Sequence, residues 1–281
     1  MTGELYVVAT PIGNMDDMSP RAVDVLKAVD LVAAEDTRHS SRLFSHFGIK
    51  TPMVSYHDHS DNKQICTILD MLLSGKSVAL ISDAGTPLIS DPGYRLVKTI
   101  RKKGLKIVPI PGSCALIAAI SVSGLSSDRF IFEGFLPAKS SARISKLKSV
   151  AEEFRTLMFY EAPHRILETL TDMMGVFGEG RQVVLARELT KTYETFLSGP
   201  LSEVLVQVKA DDNQQKGEIV LVVEGSSLSE KDPDDIEAKR ILSILLEEVP
   251  LKQAALLAAK ITGAQKNLLY KLALSLKEQV G

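Results

Sequence analysis

The chain has 281 residues, 45% of them apolar and 24% charged, with a net charge of −2. That is enough chain for two globular units with a sizeable core, and its composition excludes disordered and fibrous classes. No apolar run approaches the roughly eighteen residues of a membrane span, and Met1-Thr2-Gly3-Glu4 runs straight into a strand-like Leu5–Ala9, so a cytoplasmic protein without a membrane partner is expected.

In chain order, Leu5–Ala9 reads as a first strand, ended by the punctuating loop Thr10-Pro-Ile-Gly-Asn14. Ser19-Pro20 has the form of a cap followed by a helix-starting proline and leads into a helix over Arg21–Lys27. Asp30–Ala34 reads as a second strand, and the charged run Glu35-Asp36-Thr37-Arg38 at its end suggests the rim of a cleft. Helices are expected over Ser41–Phe47, stopped by Gly48, and over Asn62–Leu73, stopped near Gly75. Val78–Ile81 is a short apolar run of the kind that parallel sheets bury on both faces.

The loop that follows, Ser82-Asp-Ala-Gly-Thr-Pro-Leu-Ile-Ser-Asp-Pro-Gly93, concentrates Gly, Pro and Asp beyond what a plain connection needs. Gly85 permits left-handed backbone and Pro87 keeps Thr86 extended, while Ser90-Asp91-Pro92 offers a helix cap with proline just inside. A strand at Lys106–Ile110, the break Pro111-Gly112-Ser113 and a small-residue helix over Cys114–Ser121 repeat the pattern. Strands alternating with helices predict an α/β unit with a parallel sheet. Its loops 10–14, 82–87 and 111–115 would share the carboxyl edge, where open α/β folds bind ligands. Backbone N–H groups of Gly85 and Ser113 are expected to hold a carboxylate there, with Asp83 accepting from an amine or hydroxyl.

Texture changes near Ser123-Gly124-Leu125-Ser126. Strands are expected at Phe130–Phe132, Thr156–Tyr160, Gln182–Arg187, Glu194–Leu197 and Glu218–Val223, with helices over Ser141–Glu153, His164–Met174 and Leu201–Val208. Some strands adjoin directly, which predicts a mixed sheet in a second α/β domain. Tyr160-Glu161-Ala162-Pro163-His164-Arg165 ends one of these strands and opens a helix. His164 there reads as a general acid or base and Arg165 as a phosphate fork, or both as an ordinary surface turn. The polar stretch Ser226–Pro233 reads as a linker, and the rest is helical. Within it, Lys252–Tyr270 has a helix, a Gly263 turn and a second helix carrying Lys266, Asn267 and Lys271, the pattern of a helix-turn-helix or of a plain helical bundle. The expected organisation is residues 1–122, 123–226, a linker over 227–235 and a helical domain over 236–281.

Charge is unevenly spread. Residues 95–106 hold Arg95, Lys98, Arg101, Lys102, Lys103 and Lys106 and no acid, and Arg95, Lys98 and Lys102 share a helix face. Residues 235–281 carry seven basic against five acidic residues. Local patches of this kind suit a polyanion, or simply a solvated surface. The chain lacks the phosphate loop G-x-x-x-x-G-K-[ST] and any G-x-G-x-x-G after a strand. Cys66 and Cys114 lie far apart and read as small buried hydrophobes; His57-x-His59 reads as a polar surface pair, and no metal is expected.

Ala9–Asn14, Ala34–Arg38, Ser82–Gly93, Pro111–Ser113 and Glu161–Arg165 together resemble the ribosomal RNA small-subunit methyltransferase I family, of the tetrapyrrole-methylase-like class of S-adenosylmethionine enzymes. The resemblance covers essentially the whole chain. It implies two α/β domains with the methyl donor in the cleft between them, a helix-turn-helix-like tail, a homodimer, and 2′-O-methylation of a decoding-region cytidine in the 16S rRNA of the small ribosomal subunit. Carried onto this chain, it puts Pro11, Asp83, Ala84, Gly85, Thr86, Ser113 and Cys114 at the donor, with Tyr160, Leu189 and Gly217 on its adenosine side. A ribose hydroxyl needs its proton removed, and Asp36 or His164 is the expected base. Arg38 and Arg165 would hold flanking phosphates, and Arg95, Lys98, Lys102, Lys266 and Lys271 would add salt-dependent RNA affinity. Two other readings share the crevice: a C-methyltransferase of corrin precursors, and a ligand-sensing DNA-binding regulator without enzyme activity.

Overall fold

Short apolar runs between Leu5 and Ile110 form a five-stranded parallel sheet in the order β3-β2-β4-β1-β5. Its strands are β1 (Leu5–Val8), β2 (Leu31–Ala34), β3 (Met53–Ser55), β4 (Val78–Ile81) and β5 (Ile107–Ile110). The computed structural model describes residues 2–57, 62–226, 233–263 and 266–278; His59, residues 227–232 of the expected linker and residues 264–265 after Gly263 lie outside them. In β4, Val78 and Leu80 pack against α3 (Asn62–Leu73) and α4 (Tyr94–Lys102), while Ala79 and Ile81 pack against α1 (Pro20–Ala28) and α2 (Thr37–Phe47). That two-sided burial is why the strand reads as unbroken apolar sequence. The chain winds from β1 out to β2 and β3 and then back to β4 and β5, so β1 and β4 border the point of reversal, where a crevice opens.

The sequence expectations hold for most of these elements and fail in instructive places. Ser19 caps α1 through Oγ, 3.2 Å from the Ala22 N–H. Helix α2 begins at Thr37, not Ser41, because Asp36 accepts from the Arg38 N–H at 2.8 Å and caps it. Strand β3 is an addition to the expected set: it is a three-residue edge strand after Pro52, too short to show a period. Ser90-Asp91-Pro92 does not cap α4. Ser90 lies at φ 67°, left-handed rather than the extended backbone a cap needs, and Gly93 holds the cap position instead.

The second sheet has the order β6-β7-β10-β8-β9: β6 (Phe130–Phe135), β7 (Thr156–Glu161), β8 (Gln182–Arg187), β9 (Thr195–Pro200) and β10 (Ile219–Val223). Only the β6–β7 pairing is parallel, which makes the sheet mixed, as expected. One face is covered by α6 (Ser140–Ser149), α7 (Ile166–Phe177) and α8 (Leu201–Ala210). The other is covered by α5 (Ala115–Ser123), whose Leu116, Ala119 and Ile120 pack on Met158, Val184 and Val220. Packing thus gives α5 to the second sheet, although the sequence reading placed it in the first unit. An apolar helix following a parallel strand carries no local sign of which sheet it will cover. Arg143 is buried between α6 and α7, paired to Asp172 at 2.7 Å and Glu168 at 3.2 Å.

In the tail, α9 (Pro233–Glu248), α10 (Leu251–Thr262) and α11 (Lys266–Glu278) share a core of Leu242, Ala254, Ala258 and Leu269, where alanines let the helices approach closely. Gly263, at φ 75°, ends α10. Among the described residues no helix is long and apolar enough to cross a membrane. Cys66 is exposed and Cys114 half-buried, so neither is the buried hydrophobe expected.

Candidate active site

Because β4, β1 and β5 are neighbours, the three punctuated loops meet. Thr10 and Gly85 exchange backbone hydrogen bonds of 2.8 and 3.0 Å, and the Thr86 hydroxyl donates to the Ser113 carbonyl at 2.9 Å. Gly85 sits at φ 79°, and a Cβ there would meet Ile12 Cγ2 at 3.2 Å. The Gly85 N–H is therefore committed to Thr10 and is not available to a carboxylate, contrary to expectation. Donors without an acceptor in their own helix lie instead at the start of α5, which Cys114 caps without a side-chain bond.

Between these loops and the second sheet lies a cavity of about 350 Å³. The loops of the first sheet supply Ile12, Ala84–Thr86, Ile89–Asp91 and Cys114, the start of α5 supplies Ala115, and the second sheet and its loops supply Phe135, Tyr160–Pro163, Leu189 and Glu218–Val220. A mostly apolar wall of this size suits a nucleoside-sized ligand. Of the predicted donor residues, Ala84, Gly85, Thr86, Cys114, Tyr160 and Leu189 line it. Pro11, Asp83, Ser113 and Gly217 do not, although each is the chain neighbour of a residue that does. Asp83 Oδ1 accepts from the Asp36 N–H at 3.0 Å, tying the β2 and β4 loops together. Gly217, at φ 81°, lies so close to Glu188 that a Cβ would fall 2.4 Å from its carboxylate. Sequence reasoning missed Ile12, Ile89, Asp91 and Phe135. Ile12 and Asp91 sat inside the motifs that drew notice, but Phe135 gave no signal, since only the sheet brings it to 5.6 Å from Tyr160.

Four non-glycine residues among those described adopt positive φ, and they flank this cavity in two pairs: Leu88 and Ser90 in the β4 loop, Glu188 and Thr190 in the loop after β8. Strained backbone of this kind persists only where its surroundings enforce it. Thr190 Oγ1 accepts from the Asn14 N–H at 3.1 Å and so clasps the two units.

The charged groups differ in what they can do. Asp36 is wrapped by Arg38, whose side chain and N–H hold its carboxyl down at about 2, and it is not in the cavity wall. His164 is exposed beside the wall residue Pro163. Arg165 is turned onto Glu161. Glu161 also accepts from the Ala162 N–H at 2.7 Å and from the Thr169 hydroxyl at 2.6 Å, so both its oxygens are occupied. Burial pushes the Tyr160 phenol well above its ordinary range. Burial, with the nearby charges of Glu35 and Asp83, pushes Asp91 up to about 6 despite a hydrogen bond from Ser82. The basic side chains Arg95, Lys98 and Lys102 are exposed on α4, and Lys266 and Lys271 are exposed on α11.

Comparison with known proteins agrees with this architecture. Residues 4–205 match the family of tetrapyrrole (corrin/porphyrin) methylases, and residues 232–277 match the RsmI C-terminal HTH domain. The chain is 60% identical over 273 residues to ribosomal RNA small subunit methyltransferase I of Pseudomonas aeruginosa, covering 97% of each protein. It is 55% identical to the protein of that name from Escherichia coli O157:H7, covering 97% of this chain and 95% of that one. Among solved structures, the methyltransferase CobJ superposes with a TM-score of 0.60 at 18% identity, covering 80% of this chain and 95% of its own. Uroporphyrin-III C-methyl transferase from Thermus thermophilus, complexed with S-adenyl homocysteine, gives 0.55 at 16% identity, covering 79% and 97%. At such identities these two show the fold alone.

Proposed function

This chain belongs to the ribosomal RNA small subunit methyltransferase I family, within the tetrapyrrole methylases, and we propose that it methylates the ribose 2′-hydroxyl of a decoding-region cytidine in 16S rRNA. The observation that carries the reading is the cavity between the two sheets, built at the winding reversal of a chain whose family likeness runs on through the helical tail. S-adenosylmethionine, when bound, supplies a methyl group activated on a sulfonium sulfur. Ala84, Gly85, Thr86 and Cys114 would hold it from the β4 and β5 loops, and Tyr160 and Leu189 would line its adenosine side. The close approach that Gly85 permits, the N–H groups at the start of α5 and the apolar wall fit such a donor. Holding donor and hydroxyl in line is itself a large part of catalysis.

RNA would be met outside the cavity by Arg38 and by the exposed side chains of α4 and α11. Arg165, committed to Glu161, serves the cavity wall before it serves a phosphate. His164 and Asp36 are assigned to the rim, with Asp36 fixing Arg38. The protein would work in the cytoplasm as a homodimer, a second copy covering the exposed Ile117, Val122, Phe130 and Phe135, which single chains rarely leave in water together. The test is methyl transfer from labelled S-adenosylmethionine to small ribosomal subunits lacking the modification. One alkali-resistant cytidine step in 16S rRNA is expected, and label in tetrapyrroles but not in RNA would overturn the reading.

A further inference from the structure

Two strained loops flank the cavity, and each leads on to an exposed aromatic ring for which donor binding has no use. Tyr193, 74% exposed, and Tyr94, 61% exposed, are the two most exposed tyrosine or phenylalanine rings among the described residues. Neither belongs to the apolar group assigned to a second copy. Tyr94 follows left-handed Leu88 and Ser90, three positions after the wall residue Asp91. Tyr193 follows left-handed Glu188 and Thr190, four positions after the wall residue Leu189. Consecutive Cα atoms are about 3.8 Å apart, so these backbones lie at most about 11 and 15 Å from the wall residues.

The β8–β9 pairing of Arg187 with Thr195 leaves residues 188–194 as the connection, longer than the roughly two to five residues a hairpin needs. That extra length is tied down. Glu194 Oε2 accepts from the Thr190 N–H at 2.7 Å, and the Tyr193 carbonyl accepts from buried Arg187 at 3.0 Å and from the Thr195 hydroxyl at 3.1 Å. A ring carried by such a frame loses little backbone freedom when a flat group stacks on it. At Tyr94 the surroundings give the charge of that partner. Lys98 Nζ stands 5.3 Å from the ring centre, Arg95, Arg101 and Lys102 are exposed, and no acid occurs from Pro92 to Lys106. Exposed aromatics beside cations suit single-stranded nucleic acid, whose bases stack while its phosphates are neutralised. Resting on the reading of the chain as an rRNA ribose methyltransferase, we propose that Tyr94 and Tyr193 stack on unpaired bases of the acceptor RNA beside the target nucleotide, one ring from each unit bordering the cavity. Both are positioning residues, which hold the strand so that the acceptor ribose reaches the donor.

The test uses the whole chain with Tyr94 and Tyr193 changed singly to Ala, Phe and Trp. Each Ala variant is expected to bind small ribosomal subunits lacking the modification about 5- to 150-fold more weakly, the worth of one stacked base. Phe keeps the ring and should stay within about threefold of the parent. The dependence of log affinity on log salt should keep the parent's slope, because no cation is removed. With subunits saturating, single-turnover methylation by the Ala variants should stay within a few-fold, so the loss falls on KM. The chain has no tryptophan, so each Trp variant carries a single reporter. Its emission should fall when single-stranded RNA saturates the protein, with saturation read from the anisotropy of an end label on the RNA, and a saturating RNA duplex should leave it unchanged. An Ala variant that binds subunits as tightly as the parent overturns the assignment of that ring, as does a Trp whose emission ignores single strands or answers equally to duplex. So does an Ala variant whose sedimentation shows a changed oligomeric state, which would make the ring a contact between copies. A parent protein that binds donor yet neither labels nor binds small subunits overturns the methyltransferase reading, and this inference with it.

Discussion

Glu161→Ala should loosen the second unit more than its single side chain suggests. The Glu161 side chain is fully buried and that of Arg165 is 15% exposed. Truncation would leave the guanidinium, the Ala162 N–H and the Thr169 hydroxyl without their acceptor. Breaking a buried pair from one side costs about 3–5 kcal/mol, and the partial wetting of Arg165 puts this case near the lower end. At roughly 2–4 °C per kcal/mol for a chain of this size, the melting temperature should fall by roughly 6–12 °C. Glu161→Gln keeps the shape and trades charge-assisted bonds for neutral ones, so about 1–2 kcal/mol is expected. The chain has no tryptophan, so the melt is best followed by circular dichroism. Arg165→Met added to Glu161→Ala should recover part of the loss, because it removes the uncompensated charge. A Glu161→Ala protein that melts within about 2 °C of the parent would refute the reasoning.

Gly85→Ala should cost about 1–2 kcal/mol for its left-handed backbone. The new Cβ would press on Ile12, and donor affinity measured by calorimetry should drop about tenfold. Reversing Lys98 and Lys102 to Glu should leave donor binding alone, weaken RNA binding, and flatten the dependence of log affinity on log salt by about one unit for each phosphate no longer neutralised. Asp36 is held at about 2 in the folded chain, against about 3.9 unfolded. Its pairing therefore stabilises the fold at and above the unfolded value, and that contribution is lost as pH falls through about 2. Asp36→Asn still caps α2, so its melting temperature should change less than the parent's over that acid range. A parallel acid melt of both proteins checks it.

The residues of the sequence by themselves determined the punctuation of this protein: where strands stop, where loops need Gly85 or Pro87, and which stretch is buried on both faces. Those are local properties, set by backbone sterics and by periodicity, and they were legible from Val78–Ile81 and the loop to Gly93 alone. The cavity loops, the mixed second sheet and the helical tail followed from the same signals and from the family resemblance of the motifs. What only the tertiary structure decided was partnership. Ser90-Asp91-Pro92 looks like a helix cap to any local rule, yet the strained turn at Ser90 carries Asp91 to the cavity wall. Arg165 looks free to grip a phosphate until Glu161 is found buried beneath it. The Gly85 N–H looks like a ligand donor until Thr10, 75 positions away, takes it. Helix α5 looks like the close of the first unit and packs on the second sheet. In each case the deciding partner comes from another part of the fold, and hydrogen-bond and burial energies depend on who arrives, which no local pattern encodes.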